Sequence, residues 1–289
     1  MKALHLSGGG TKGIGQFGAV DALLNYRGYK PDLYSGISIG AILIVPIALG
    51  KFKQIENVIE ELSLKTIFNV PPVNKNGKIR TRSILRFLFG NSFGEQYNII
   101  KELKKVVSES EFNSYCKDPQ SPVCIIMSVD ILTGQRTFTN VKELTYKEWL
   151  VYTLASASIP LFTESVDFRG RILYDGGVRN HIISHWCMEY FPIKESISIY
   201  SRPQDFSLNA IDECPSELEK FERSLDIALL QISKYDEMEE NNIARTRNIK
   251  NFQIFLPRIL KGVYDTDKER LEKLKDAGFE LGLQYNKPL

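Results

Sequence analysis

The chain contains 289 residues, which is enough for one large α/β domain with a sizeable core or for two small domains. Its 37 basic and 35 acidic residues give a formal net charge of +2, so it lacks the positive field that draws nucleic acid, and we expect no nucleic-acid partner. The four cysteines form no Cys-x-x-Cys pair, which argues against a disulfide framework or a zinc site and favours a reducing compartment.

The sequence gives no sign of a targeting or membrane-spanning segment. The first six residues run directly into a glycine cluster and lack the apolar core of a signal peptide. The longest apolar run, 41–49, is less than half of a membrane span and contains Pro46. We therefore expect a cytoplasmic protein whose contact with membranes, where it occurs, is peripheral.

The first predicted elements form a βαβ unit. Residues 3–6 are typical of a buried strand, and apolar residues recur at helical spacing over 17–24. A second apolar segment at 33–37 predicts the next strand. Because a strand, a glycine loop, a helix and a strand in this order require a right-handed crossover, they predict a parallel pair of strands.

The segment Gly36-Ile37-Ser38-Ile39-Gly40 connects the second strand to a long apolar run. This position predicts a sharp turn that presents Ser38, followed by a buried helix whose first amides point at whatever the serine attacks. Gly36 and Gly40 would allow the tight turn because they have no Cβ. The alternative is a glycine-rich turn with an incidental serine, since the pattern also arises by chance.

A basic and apolar segment occupies 75–94. It contains five basic residues before the first acidic residue, Glu95, and Ser83 stands where a helix N-cap is expected. The pattern predicts either a cap over the active site or a patch for lipid surfaces, and an ordinary surface helix with a solvated basic face is an equal alternative.

The rest of the chain alternates strands and helices without a repeat or a linker. The predicted strands are 123–130, 135–139, 171–174, 196–200 and 251–256, and the predicted helices are 52–64, 149–157, 181–190, 218–247 and 266–283. Thr133-Gly134 predicts a hairpin turn, and Thr266 with Glu269 has the spacing of a capping box. We expect a single domain over 1–289, with a motif-bearing core at about 2–200, a cap or lipid-facing insertion at about 52–117 and a C-terminal helical region at about 215–289.

The glycine loop after the first strand also matches a dinucleotide-binding fingerprint, Gly8-x-Gly10-x-x-Gly13. However, no acidic residue ends the second strand to hold a ribose, which disfavours a nucleotide-binding oxidoreductase. An oxyanion hole fits better, because parallel neighbouring strands would bring the amides of Gly8, Gly9 and Gly10 beside Ser38.

The base that would activate Ser38 is not fixed by spacing. His5 lies inside the first strand and is predicted to be a core residue, while His181 and His185 are four residues apart in a predicted helix and make a poor zinc pair. The order Ser38, Asp175, His181 keeps a catalytic triad open, although the histidine follows the aspartate too closely. Asp175 itself is the remaining candidate, and its alternative role as an ordinary Asp-Gly turn residue is equally compatible with the spacing.

Taken together, three motifs resemble the signatures of the patatin-like phospholipases. They are Gly8-Gly9-Gly10-x-Lys12-Gly13, Gly36-x-Ser38-x-Gly40 and Asp175-Gly176-Gly177, and they occur in the family's order. The stretch 155–160 upstream of the aspartate and the strand-turn-strand around Asp130 are similar as well. The resemblance covers about 2–200, and the C-terminal helix from near Tyr264 is similar only in pattern.

This resemblance implies a three-layer α/β/α sandwich with a central, mostly parallel sheet, and a lipid acyl hydrolase that uses a Ser-Asp dyad without histidine. It implies that Ser38 is the nucleophile, Asp175 the base, and Gly8, Gly9 and Gly10 the oxyanion donors. Lys12 stands where arginine is common, so a role in fixing the loop or contacting phosphate stays open.

The expected partner is a phospholipid or another acyl-ester lipid, with no cofactor and no metal. Acyl-chain selection is expected in the region 52–117, which matches no motif. Two alternatives use the same fold: a transacylase, and a latent module that binds a lipid or a partner.

Overall fold

The computed structural model describes residues 1–74, 79–89, 92–205 and 217–285, so Lys75 and Lys78 of the basic segment lie outside the described residues. The strands are β1 (Lys2–Leu6), β2 (Leu33–Gly36), β3 (Val123–Asp130), β4 (Gln135–Asn140), β5 (Val166–Phe168), β6 (Arg171–Asp175), β7 (Glu195–Tyr200) and β8 (Lys250–Phe255). The helices are α1 (Gly13–Asp21), α2 (Ile39–Ala48), α3 (Phe52–Glu60), α4 (Leu64–Ile67), α5 (Thr81–Leu88), α6 (Asn98–Val106), α7 (Glu109–Lys117), α8 (Tyr146–Ser156), α9 (Ser184–Tyr190), α10 (Glu217–Thr246) and α11 (Lys268–Leu283).

The described strands form one sheet in the order β5-β6-β3-β2-β1-β7-β8, with β4 paired to β3 outside this path. The pairs from β3 through β2, β1 and β7 to β8 are parallel, whereas β4, β5 and β6 join in antiparallel fashion. The predicted α/β class with a mostly parallel central sheet is therefore confirmed.

Both faces of the sheet are covered by helices, as expected for strands that are apolar on both sides. Side chains of β1 alternate, so Leu4 and Leu6 join the core under α1, α2 and α11, while Ala3 joins the core under α9 and α10. These two cores define the three layers of the predicted sandwich.

Helix α11 packs closely along α1 through glycine contacts. A Cβ added to Gly278 would lie 2.0 Å from the carbonyl oxygen of Gly15, and one added to Gly18 would lie 2.1 Å from that of Lys275. The two backbones therefore approach more closely than any side chain at these positions would allow. This contact fixes α1, the helix that follows the glycine loop.

Three helix starts differ from the sequence-based predictions. Helix α9 begins at Ser184, so His181 precedes it instead of sharing a face with His185. Helix α11 is capped by Asp267, whose side chain accepts from the amide of Arg270, and not by Thr266. Ser83 is buried inside α5, which starts at Thr81 and is preceded by Arg80.

Tertiary contacts explain the first of these differences. The amides of His181 and Ile182 donate to the carboxylate of Asp236 in α10, at 2.5 and 3.2 Å. Because the carboxylate binds these amides, the residues around His181 stay in a turn that helical periodicity alone does not reveal. The other predicted helices and strands are present, with ends that shift by a few residues.

Candidate active site

Ser38 occupies a strained turn between β2 and α2. Its backbone has φ 56 and ψ −121, a conformation that L residues with a side chain rarely adopt. The turn is tight enough that a Cβ on Gly36 would lie 2.3 Å from the carbonyl carbon of Gly40. Ser156 supports it from α8, since its hydroxyl accepts from the Ser38 amide at 3.0 Å and donates to the Met127 carbonyl at 2.6 Å.

Asp175 ends β6 and is buried beside this turn. Its carboxylate accepts from the Gly177 amide at 2.7 Å, and the Ser38 hydroxyl lies close enough to the carboxyl group to lower its pKa. Its own amide donates to the Ser158 carbonyl at 2.8 Å. Burial raises the pKa of Asp175 to about 7, against the opposing effects of the Gly177 amide and the Ser38 hydroxyl.

The glycine loop lies against Ser38, as the parallel pairing of β1 with β2 requires, because Leu6 is in register with Gly36. The Gly8 amide donates to the His181 carbonyl at 2.9 Å, so it is already used within the protein. In the described part of the chain, the amides of Gly9 and Gly10 have no protein acceptor. Both residues have positive φ, 152 and 58, which aims their amides differently from a regular turn.

None of the three histidines is hydrogen-bonded to Ser38 or Asp175 among the contacts of the described residues. His5 is fully buried and its Nδ1 contacts the Ser35 hydroxyl at 2.7 Å. The nearest polar contact of the His181 ring is the Ser201 hydroxyl, at 3.4 Å from Nε2.

The pKa values of two histidines are also too low for a charged form near neutral pH. Burial lowers the pKa of His181 to about 3, with added repulsion from Arg202 and Lys12. Burial and the charge of Arg136 lower the pKa of His185 to about 4. Lys12 therefore lies close enough to influence the ring that sits behind the glycine loop.

Ser38 opens onto an apolar cavity of about 150 Å³. Its walls are formed by the glycine loop, by α2, by the segment near Ile159 and by helices α3, α4 and α6. The apolar lining side chains are Ile14, Ile39, Ile42, Leu43, Pro46, Ile55, Val58, Ile59, Leu62, Ile67, Ile99, Leu103, Val106, Ala157, Ile159, Val263 and Tyr264.

Sequence reasoning missed Tyr264 and Asp236. Tyr264 lines the same cavity, and its buried hydroxyl has no hydrogen-bond partner among the described residues. Asp236 lies in the middle of α10 and is fully buried, where it binds residues next to the glycine loop. Neither belongs to a short motif, and the burial of Asp236 appears only in the structure.

The described residues contain neither a candidate metal site nor a helix that could cross a membrane. No cluster of three or more histidine, cysteine, aspartate or glutamate side chains there could hold a metal ion. No described helix combines the length and the hydropathy needed to cross a membrane.

Comparison with known proteins gives one family and a related fold. The family model for patatin-like phospholipase matches residues 4–183. The crystal structure of VipD from Legionella pneumophila superposes with a TM-score of 0.53 at 14% sequence identity, covering 98% of this chain and 66% of that one. At that identity the superposition shows a shared fold, and the chain spans about two thirds of the length of VipD. No curated protein sequence matches significantly.

Proposed function

This chain belongs to the patatin-like phospholipase family, and from that membership we propose that it hydrolyses acyl esters of phospholipids or related lipids through Ser38 and Asp175. One observation carries the proposal. A serine in a strained turn lies beside a buried aspartate and lowers its pKa, at the edge of an apolar cavity.

Burial explains how an aspartate can serve as the base. A carboxylate in water, with a pKa near 4, takes a proton from an alcohol poorly at neutral pH. The pKa of Asp175 is raised to about 7 by burial, so its carboxylate is more basic and is still ionised at neutral pH in a large fraction of molecules.

The proposed reaction has two halves. Asp175 takes the proton of the Ser38 hydroxyl while the oxygen attacks the ester carbonyl, and the tetrahedral intermediate collapses when Asp175 returns that proton to the leaving alcohol. Water then attacks the acyl-enzyme and gives one proton to Asp175. Asp175 passes it to Ser38 as the ester bond to the serine breaks, which releases the fatty acid.

The oxyanion hole of this proposal uses three amides, one of which differs from those expected from the sequence. Gly8 was expected to donate, but its amide is bonded to the His181 carbonyl. The amides of Gly9 and Gly10 have no acceptor in the described part of the chain, and Ile39 contributes the first amide of α2 beside Ser38. These three amides are the proposed donors, and Gly8 then holds the loop in place.

The apolar cavity is the proposed site of the acyl chain, because most of its lining side chains are apolar. Residues from α3, α4 and α6 supply much of that wall, which supports a role for 52–117 in selecting the chain.

A fluorophosphonate probe tests the nucleophile directly. We expect it to label the wild-type protein and not Ser38→Ala, while circular dichroism stays unchanged. A lipid panel read by mass spectrometry would then identify the substrate and, from the products, separate hydrolysis from acyl transfer to another alcohol. An unlabelled wild-type protein would favour the latent binding module instead.

The histidines provide the control for this assignment. Since neither ring is hydrogen-bonded to Ser38 or Asp175 in the part of the chain that the structure describes, His181→Ala and His185→Ala are expected to keep turnover. Loss of the chemical step in either variant, with the fold intact, would restore the triad hypothesis.

A further inference from the structure

Helix α5 leaves an apolar face exposed, although it is only eight residues long. Five large apolar side chains on it and just after it are unusually accessible for a folded protein. This patch consists of Ile84, Leu85, Phe87, Leu88 and Phe89, which are 42, 53, 42, 71 and 83% exposed.

Positive charge lies at one end of the patch. Arg80 and Arg82 are exposed, and no acidic partner is found for them among the described residues. Arg86, by contrast, is held by Glu95 and Glu164. Arg86 offsets one of these two negative charges, and the exposed Arg80 and Arg82 leave a net charge of +1 on the five groups together. Apolar side chains beside arginines complement an anionic lipid surface.

The patch is also continuous with the candidate active site. Phe87 packs on Phe93 at 4.7 Å between ring centroids, Phe93 on Phe162 at 6.1 Å, and Phe162 on Tyr264 of the cavity wall at 5.9 Å. The backbone is tied in as well, since the Phe93 amide donates to the Leu161 carbonyl at 2.8 Å. A surface that met the patch would therefore lie next to the cavity.

From these contacts we infer that the α5 patch docks on an anionic lipid surface and brings the Ser38 cavity to its substrate. This rests on the proposed function and adds the surface at which it operates. Leu88 and Phe89 enter the apolar layer, and Arg80 and Arg82 contact the headgroups.

Vesicle cosedimentation tests the docking apart from catalysis when it is done in a Ser38→Ala background. Vesicles of phosphatidylcholine with phosphatidylglycerol should bind the protein, and the double change Leu88→Ser with Phe89→Ser should weaken binding at least tenfold. The matched control is Leu132→Ser, at an apolar side chain that is 66% exposed on the hairpin, and it should bind like wild type. Arg80→Ala with Arg82→Ala should weaken binding roughly fivefold per arginine and reduce its salt dependence. The matched control is Lys234→Ala with Arg245→Ala in α10, which removes two positive charges away from the patch and should leave binding unchanged.

The activity arm separates this inference from the proposed function. With Ser38 present, the Leu88/Phe89 variant should lose hydrolysis of vesicle lipid and keep hydrolysis of a soluble short-chain ester. Wild-type vesicle binding by that variant would overturn the inference even if Ser38 is active. The inference would also be overturned if the wild type formed a dimer and the variant lost the dimer but bound vesicles as before. No hydrolysis of either substrate by the wild type would instead remove the proposed function.

A second inference rests on a different observation, the unpaired hydroxyl of Tyr264. A buried polar group without a partner is costly, and such groups are uncommon in folded proteins. The ring is fixed by Phe68 at 5.1 Å and by Phe162, and the side chain lines the cavity together with Ser38. Burial, and then the nearby charge of Asp175, raises the pKa of Tyr264, so the hydroxyl stays a donor at neutral pH.

We propose that Tyr264 is a catalytic residue whose hydroxyl donates a hydrogen bond to an oxygen of the ester bound at Ser38. Tyr264→Phe should lower kcat/KM for a soluble ester about 5- to 30-fold without lowering thermal stability, because only an unpaired hydroxyl is lost. Tyr115→Phe is the matched control, since its hydroxyl donates to the Pro122 carbonyl, and it should cost stability and leave activity unchanged. Wild-type activity in Tyr264→Phe, with Ser38 still labelled by the probe, would overturn this inference alone.

Discussion

At the scale of single residues, the environment gives ordinary side chains their chemistry. Ser38 is a common residue held in an uncommon backbone conformation, and Asp175 is a common acid deprived of water. The packing of β2 and α2 around Ser38 keeps its backbone in the strained conformation. The hydrogen bond from the Gly177 amide offsets part of the free-energy cost of burying the Asp175 carboxylate.

Replacing Asp175 by asparagine tests both its chemistry and its burial. We expect Asp175→Asn to lower kcat at least a hundredfold, because an amide cannot accept the Ser38 proton. The measurement is the hydrolysis of a soluble ester, with probe labelling of Ser38 as a second readout. Near wild-type turnover would remove Asp175 from the mechanism.

The same variant has an opposite effect on stability. The folded pKa of about 7 lies above the value near 4 of an unfolded aspartate, so the folded state binds more protons between these pH values. The contribution of the protonated carboxyl to stability is therefore lost as the pH rises from about 4 to about 7. Asp175→Asn should become more stable relative to wild type over this range, by up to about 4 kcal/mol in denaturant titrations.

At the scale of elements, helices α10 and α11 support the loops that follow the central strands and form the candidate site. Helix α10 places Asp236 against the amides of His181 and Ile182, and the His181 carbonyl in turn holds Gly8. Helix α11 presses on α1, which starts where the glycine loop ends. The C-terminal region therefore supports a site whose motifs all precede it.

The contact between α1 and α11 is testable with one methyl group. Alanine normally favours a helix over glycine by about 1 kcal/mol, but at Gly278 its Cβ would meet the Gly15 backbone. We expect Gly278→Ala to lower the free energy of unfolding by about 1–3 kcal/mol in chemical denaturation. Gly262→Ala is the control, because a Cβ there meets nothing within 4 Å, and it should be close to neutral. Equal stability of the two variants would contradict the close helix contact.

At the scale of the whole molecule, the sheet brings the residues of the candidate site together at the carboxyl ends of its central parallel strands. The parallel strands β1 and β2 end at the glycine loop and at Ser38, while the antiparallel β6 brings Asp175 to them from beyond β3. Helices α3, α4 and α6 complete the wall of the cavity over these strand ends. Because Asp175 is buried, the fold also sets the pH dependence of the proposed reaction.

The expected pH profile belongs to this assembled state. Since only the ionised carboxylate accepts the serine proton, kcat/KM for a soluble ester should rise about tenfold per pH unit below about 7 and level off above it. Initial rates from pH 5 to 9, corrected for unfolding, measure this curve. A flat profile between pH 5 and 8 would show that no group with the pKa of Asp175 controls the step.

The sequence by itself determined the strand order of the first βαβ unit, the turn at Ser38 and the family resemblance, because these depend on local spacing and on glycines that permit special backbone angles. It could not decide between Asp175 as a base and Asp175 as a turn residue, and it placed His181 in a helix that starts at Ser184. Those questions depend on burial and on contacts between residues far apart in the chain. Only the tertiary structure shows that Asp175 is buried, that the Gly8 amide is hydrogen-bonded within the protein and that Tyr264 lines the cavity.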